Sequence, residues 1–274
     1  MVILGSSALS ILPLLLMGMR FVLAAFLLVW FVPLPRGHFW TLCWISFIAA
    51  TLQYGLTFSG LALMAATPAV LLVQSEVIFG VIIAALLLGE RPSLRQMIGI
   101  VMASCGVVVI LGAPALDGQW LGIGLVLSGA LVWAFGQVLI RRLDGALGGF
   151  QLTAWIGVMA GPQMLLASFF IDGNPLPAIQ AAPIEAWLTV IYLGVVMTAI
   201  GYSAWYFVLA RYPVPMVMPV LLLLPVAAIF GAVTMLGEAP DPMVLAGGMV
   251  VISGVGVVVV EPAYLMAWWR KKTG

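Results

Sequence analysis

Nine long apolar runs follow one another along the chain, separated by short connections rich in proline, glycine or charge. They fall near 10–32, 40–62, 69–88, 94–112, 121–140, 150–171, 185–208, 214–236 and 243–262. Each is close to the roughly 20 residues that carry a helix across a bilayer. Lipid offers no water to backbone amides and carbonyls, so each run predicts a helix that satisfies them internally. Pro219 and Pro225 interrupt the run 214–236 and predict a bend there.

Composition turns this pattern into a class. Of 274 residues, 65% are hydrophobic and 7% charged, against roughly 45–50% and about 25% in a soluble domain. With a mean hydropathy of +1.26, the expectation is an all-α integral membrane protein. At about 28–30 residues for each pass and its loop, the length accommodates nine or ten passes and leaves no soluble domain. The net charge of +1 argues against nucleic acid, which needs a basic stripe or patch. The single histidine, His38, excludes a metal site built on imidazoles, and no zinc-protease, phosphate-loop or serine-elbow motif occurs. No cofactor is implied, and the chain is not expected to be an enzyme. Cys43 and Cys105 lie inside apolar runs and are expected as small buried hydrophobes, with no disulfide framework.

Charge then sets orientation. Arg36, Arg91, Arg95, Arg141, Arg142, Arg211, Arg270, Lys271 and Lys272 all fall on one side if the helices alternate. The other connections hold Asp117, Asp172, Glu185, Glu238 and Asp241 and no Lys or Arg. The positive-inside rule makes the arginine side cytoplasmic, C-terminus included, in a multi-pass protein of the plasma (inner) membrane. Tyr264, Trp268 and Trp269 before the basic tail form an interfacial anchor.

A repeat organises the runs. Leu88-Gly89-Glu90-Arg91-Pro92 with Gly99 and Gly106 recurs 148 residues later as Leu236-Gly237-Glu238-Ala239-Pro240 with Gly247 and Gly254. The same offset pairs Tyr54 with Tyr202, Leu61 with Leu209 and Ala62 with Ala210. One copy of the Leu-Gly-Glu element carries arginine and the other does not, so the copies lie on opposite faces. An odd number of helices per repeat is required, and the expected architecture is an inverted repeat of five-helix units. The second unit, 121–262, shows five runs; the first, 1–112, shows four; 263–274 is a basic tail. The counterpart of 121–140 would precede Met1, so nine transmembrane helices are expected here, with the first of ten missing.

These residues resemble the EamA-type members of the drug/metabolite transporter superfamily. The resemblance rests on Met19-Arg20-Phe21 with Leu23-Ala24-Ala25, on Leu-Gly-Glu-Arg-Pro, and on Trp133-Ala134-Phe135-Gly136 leading to Arg141-Arg142. Gly201-Tyr202 to Trp205, then Ala210-Arg211-Tyr212, extend it over nearly the whole chain. Within the superfamily the pattern is most similar to amino-acid exporters of the O-acetylserine/cysteine exporter type. What this resemblance implies is a ten-helix secondary transporter whose first helix helps line the central cavity.

Charged residues inside a span are costly, and only Arg20 and Glu76 lie near the middle of one. One reading presents Arg20 to a substrate carboxylate and gives Glu76 to a substrate amine or a coupling proton. The other has the two pair and merely fasten their helices. Trp133, Gln137 and Arg141 share a helical face at four-residue spacing, and Tyr202, Trp205 and Tyr206 share another. Gln53, Tyr54 and Gln74 complete a candidate substrate-binding set of Arg20, Gln53, Tyr54, Gln74, Glu76, Trp133, Gln137, Tyr202 and Tyr206. The alternative for any of these is helix packing and interhelical hydrogen bonding. Gly99/Gly106 and Gly247/Gly254, each seven apart, point to close helix packing within the chain or in a homodimer. The expected function is export of a small polar metabolite, an amino acid or derivative, by alternating access in the lipid bilayer with proton coupling. The alternative is a membrane protein without transport activity, truncated or structural.

Overall fold

The computed structural model describes residues 12–64, 66–111, 119–143, 145–236 and 241–260. Every regular element among them is helical. In chain order the principal helices are α1 Pro13–Phe31 and α2 Phe39–Leu61, α3 in two pieces, Ala66–Val73 and Ser75–Leu87, and α4 Leu94–Leu111. Then come α5 Trp120–Arg141, α6 Gly149–Ile171 and α7 Ile184–Leu209. Next is α8 in three pieces, Val214–Val217, Met218–Leu223 and Leu224–Leu236, and last α9 Pro242–Val259. Among the described residues eight helices are long and apolar enough to cross a membrane; α4, with Leu94–Ile110, is shorter. The basic tail with its aromatic anchor, residues 237–240 of the second Leu-Gly-Glu element and Asp117 lie outside the described residues.

Helix α4 packs along α9, α1 along α6, and α5 along α2 and α3, while α7 leans on α1 and α6. The outer faces carry Phe31, Leu86, Phe170 and Phe230, all strongly exposed. Water would not tolerate so much open apolar surface, whereas lipid does. Inside, Leu15, Phe21, Leu42, Leu152, Met164 and Met218 belong to one continuous buried cluster. In a bilayer apolar contact alone does not drive helices together, so close approach of small residues does much of the joining. A Cβ placed on Gly254 would lie 2.7 Å from the Gly99 carbonyl oxygen, and one on Gly106 would lie 2.8 Å from that of Gly247. The glycine pairs spaced seven apart are therefore engaged within the chain, between α4 and α9.

Four of the helices depart from regular geometry in mid-span. Helix α2 widens to i→i+5 bonding over Phe47–Leu52, and α7 does the same over Leu193–Tyr202. Helix α3 breaks at Gln74, where the Gln74 amide bonds back only to the Leu71 carbonyl. Helix α8 tightens to a 3₁₀ turn over Met218–Leu223, around Pro219, before resuming at Leu224 next to Pro225. An interruption of α8 is present around Pro219, where a bend was expected; the break in α3 had no proline at Gln74 to announce it. The cysteine expectation needs correction, because Cys105 is exposed on α4 and Cys43 only half-buried. Both sit in apolar runs, but a lipid-facing position is as apolar as a core one, so hydrophobicity alone does not separate the two.

A Gly254→Ala substitution should destabilise the protein by about 1–3 kcal/mol, the usual range for overpacking. Gly256→Ala should not, since a Cβ there meets nothing within 4 Å. Thermal unfolding of the two purified variants in detergent compares them directly.

Candidate functional site

The interruptions in α2, α3, α7 and α8 bring polar groups into the interior. Arg20, on α1, is 7% exposed. Its Nη2 donates to the Tyr54 hydroxyl on α2, and that hydroxyl lies 3.2 Å from the Tyr202 hydroxyl on α7. The guanidinium carbon stands 5.0, 5.1 and 5.9 Å from the ring centroids of Phe21, Tyr54 and Tyr202. Ring faces carry partial negative charge and hold a desolvated cation. Tyr206 is buried beside Tyr202, with ring centroids 5.6 Å apart. Arg20, Tyr54, Tyr202 and Tyr206 thus form one connected cluster where α1, α2 and α7 meet.

The Arg20–Glu76 pair of the structural reading does not form. Among the described residues the ion pair within 4 Å is Arg141–Glu90, at the arginine-bearing end. Equal depth in two spans does not fix the direction each helix faces. Arg20 points to the aromatic cluster of α2 and α7. Glu76 sits on the second piece of α3, one turn before Gly80, whose Cα faces the Met218 side chain of α8. Glu76 is 9% exposed, and its carboxyl group has no hydrogen-bond or ionic partner among the described residues. The molecule therefore buries a cation and an acid, neither neutralised by the other. Such an arrangement is costly in hydrocarbon unless another group completes it.

A second cluster lies on α5 and α7. The Trp205 indole N–H donates to Gln137 Oε1 at 2.8 Å, and the Trp133 ring lies 6.2 Å from that of Trp205. Gln137 is fully buried. Trp205 also borders an open apolar groove of about 550 Å³ on the outer face, lined by Gly201, Ala204, Val208, Val217 and Val220, which holds none of the buried polar candidates. Gln53 gives its amide to Thr57 Oγ1 at 3.1 Å, toward α5 and not toward Arg20. Gln74 marks the break in α3. No described bond joins Gln53, Gln74 or Glu76 to the arginine cluster.

Buried polar atoms normally find partners. Here Arg20 Nε, Gln53 Oε1, Gln74 Oε1, Gln137 Nε2 and Ser203 Oγ have none. Four of these five belong to the residues expected to bind substrate, and the fifth neighbours Tyr202. The set contains donors (Arg20 Nε, Gln137 Nε2) and acceptors (Gln53 Oε1, Gln74 Oε1), on several helices and not joined by any described bond. Residues the sequence did not single out are Ser203, Phe21 as the ring under Arg20, and Thr51, whose hydroxyl donates to Gln163 Oε1 at 3.0 Å. For Phe21, adjacency to Arg20 was an available signal; Ser203 and Thr51 had none beyond being polar within apolar runs.

Residues 1–112 and 120–260 match the EamA-like transporter family. The chain belongs to this family. A relative from Salmonella typhimurium, named a "Probable amino-acid metabolite efflux pump", is 30% identical over 251 residues, spanning 88% of this chain and 84% of that protein. Its Escherichia coli namesake is 28% identical over the same shares. A "Probable terminal-alkyne amino-acid exporter" from Streptantibioticus cattleyicolor is 31% identical over 68% of this chain and 61% of its own length. A solved protein crystal structure superposes with a TM-score of 0.78 at 21% identity, covering 94% of this chain and 92% of that one. The EamA-like fold is thus shared with a protein of low sequence identity. The family is one of transporters, which fits a membrane-embedded polar interior better than bond-making catalysis.

Tyr54→Phe should cost more stability than Tyr202→Phe. The first removes the hydroxyl that accepts from a buried cation, worth about 1–3 kcal/mol; the second removes a neutral hydroxyl pair, worth about 0.5–1.5 kcal/mol. The difference in unfolding midpoints between the two variants measures it.

Proposed function

We propose that this protein exports a small polar metabolite, an amino acid or a derivative of one, across the plasma membrane by alternating access. The observation that carries the reading is the buried guanidinium of Arg20, which no carboxylate neutralises and whose Nε has no partner. A substrate carboxylate would complete it. Tyr54, Tyr202 and Tyr206 would frame that carboxylate, and Trp133, Gln137, Gln53 and Gln74 would contact the rest of the substrate. Glu76 would take the substrate amine or a coupling proton. The names of the Salmonella, Escherichia and Streptantibioticus relatives point to the same substrate class.

The architecture proposed to do this is an inverted pair of units, 1–112 and 121–262, with nine membrane-crossing helices and a cytoplasmic C-terminal tail, 263–274. Four observations support the pairing. The Tyr54 and Tyr202 hydroxyls, 148 residues apart, lie 3.2 Å from each other, as equivalent residues beside a two-fold axis would. The same offset carries the widened stretch Phe47–Leu52 into Leu193–Tyr202. It carries the break at Gln74 into the 3₁₀ stretch Met218–Leu223. And Gly99 faces Gly254 while Gly106 faces Gly247, the crossed exchange that a two-fold relation produces. Paired interruptions of this kind in the two halves of a transporter flank the substrate site.

Cells expressing the protein should release more of at least one amino acid from a loaded panel, or tolerate more of it, than cells lacking it. Arg20→Gln should lower that efflux at least about tenfold, the order expected for losing a charge-assisted hydrogen bond, with Arg20→Lys retaining part of it. No change in efflux or tolerance for any amino acid would rule out the substrate class. Glu76→Gln should flatten the pH dependence of export; an unaltered pH profile would remove Glu76 as the proton carrier.

A further inference from the structure

The one ion pair within 4 Å among the described residues lies away from the polar interior. Glu90 follows Gly89, whose φ of +71° turns the chain sharply out of α3; a left-handed residue there is readily supplied by glycine. One Glu90 oxygen accepts from Arg141 Nε at 2.9 Å. The other accepts from the Val214 amide at 2.7 Å, the first amide of α8, which follows Pro213 and has no partner within its own helix. Arg141 Nη1 in turn donates to the Ala210 carbonyl at 2.7 Å, just beyond the end of α7. A single carboxylate from the α3–α4 connection thus holds the end of α5 directly and the start of α8 directly, and reaches the end of α7 through Arg141. Side-chain exposures of 17% for Glu90 and 15% for Arg141 place the pair partly out of solvent.

The piece of α8 held this way is short. Val214–Val217 passes straight into the 3₁₀ stretch, so it is not continuous with the long helix beyond. Met218, next in the chain, is fully buried and seats its sulfur over Gly80, one turn from Glu76. Glu90 therefore fastens the segment whose far end closes over the helix bearing the interior acid.

We infer that the Glu90–Arg141–Val214 junction is the latch that closes the arginine-bearing end of the transporter, and that its release lets the first piece of α8 withdraw Met218 from Gly80. This rests on the alternating-access reading and adds to it the residues that gate one end. Glu90 and Arg141 act as positioning residues and touch no substrate. The opposite end has its own tie: Asp172 Oδ2 accepts from the Leu14 and Leu15 amides at 3.0 and 3.3 Å, joining α6 to the start of α1. With both ties made, helix ends are joined on each side of the buried polar groups.

The test replaces the chain's two cysteines by serine and introduces Met218→Cys as reporter. A membrane-impermeant charged maleimide is then applied to vesicles of each sidedness. Glu90→Gln and Arg141→Gln should each raise labelling roughly tenfold from the arginine-bearing face and leave it unchanged from the other. Arg141→Lys should fall between them and the parent. Unchanged labelling in the folded Gln variants would overturn the latch, as would an equal rise from both faces, which means general loosening. If one Gln variant fails to reach the membrane, the other decides. Labelling needs no substrate, so failed export with sided labelling removes only the transport reading. Intact export with unaltered labelling removes only the latch.

Discussion

Hydrocarbon supplies no hydrogen-bond partner, and that constraint governs this molecule. It obliges the chain to be helical wherever lipid touches it, and it makes each departure from regular helix a matter for the interior. The widened stretches of α2 and α7 and the breaks in α3 and α8 each turn one face inward, burying Ala50, Thr198, Gln74 and Met218 respectively. Glycines let α4 and α9 approach until backbone nearly meets backbone, which is how helices bind one another where burial of apolar surface gains nothing over lipid. The polar groups admitted to the interior are then held by a few aromatic rings and hydroxyls, with several hydrogen-bonding positions left open.

Five buried polar atoms among the described residues have no partner, and the proposed function rests on those open positions. A network that served packing alone would tend to satisfy its members, since a half-satisfied one costs more than an apolar core. Gln137 gives its oxygen to Trp205 and leaves its amide nitrogen without a partner; Arg20 spends one nitrogen on Tyr54 and leaves Nε free. The pattern suits a cavity that a ligand completes for part of a cycle and vacates for the rest. The ties at the two ends contrast with it, because Glu90 uses both oxygens and Asp172 bonds two backbone amides and the Ser168 hydroxyl.

Much of the fold was legible in the residues themselves. The apolar runs match the helices to within a few residues, because a spanning helix needs an unbroken apolar stretch and little else. The 148-residue offset singled out Tyr54 and Tyr202, and their hydroxyls meet. Other features left no such trace. The i→i+5 stretch of α2 and the break at Gln74 hold no proline or glycine, and the Gly194 and Gly201 within the α7 stretch are common residues of membrane helices that announce no particular geometry. Arg20 and Glu76 share a depth but face different partners, and facing depends on helix rotation, which a uniformly apolar run does not encode. Glu90 belonged to a recognisable element, yet its partners, Arg141 and Val214, lie 51 and 124 residues away in segments that nothing local connects to it.

The positions of the two interior charges carry a consequence for direction. Arg20 and Glu76 both belong to the first unit; α6 contains no charged residue, and the position 148 residues beyond Glu76 is Leu224. A cycle in which two inverted units exchange shapes would, in a perfectly duplicated molecule, have end states of equal free energy. In the proposed inverted-repeat cycle the exchange would move the units but not the charges, so the two end states would place a cation and an acid in different surroundings. The unequal charges would then give such a cycle a preferred resting side.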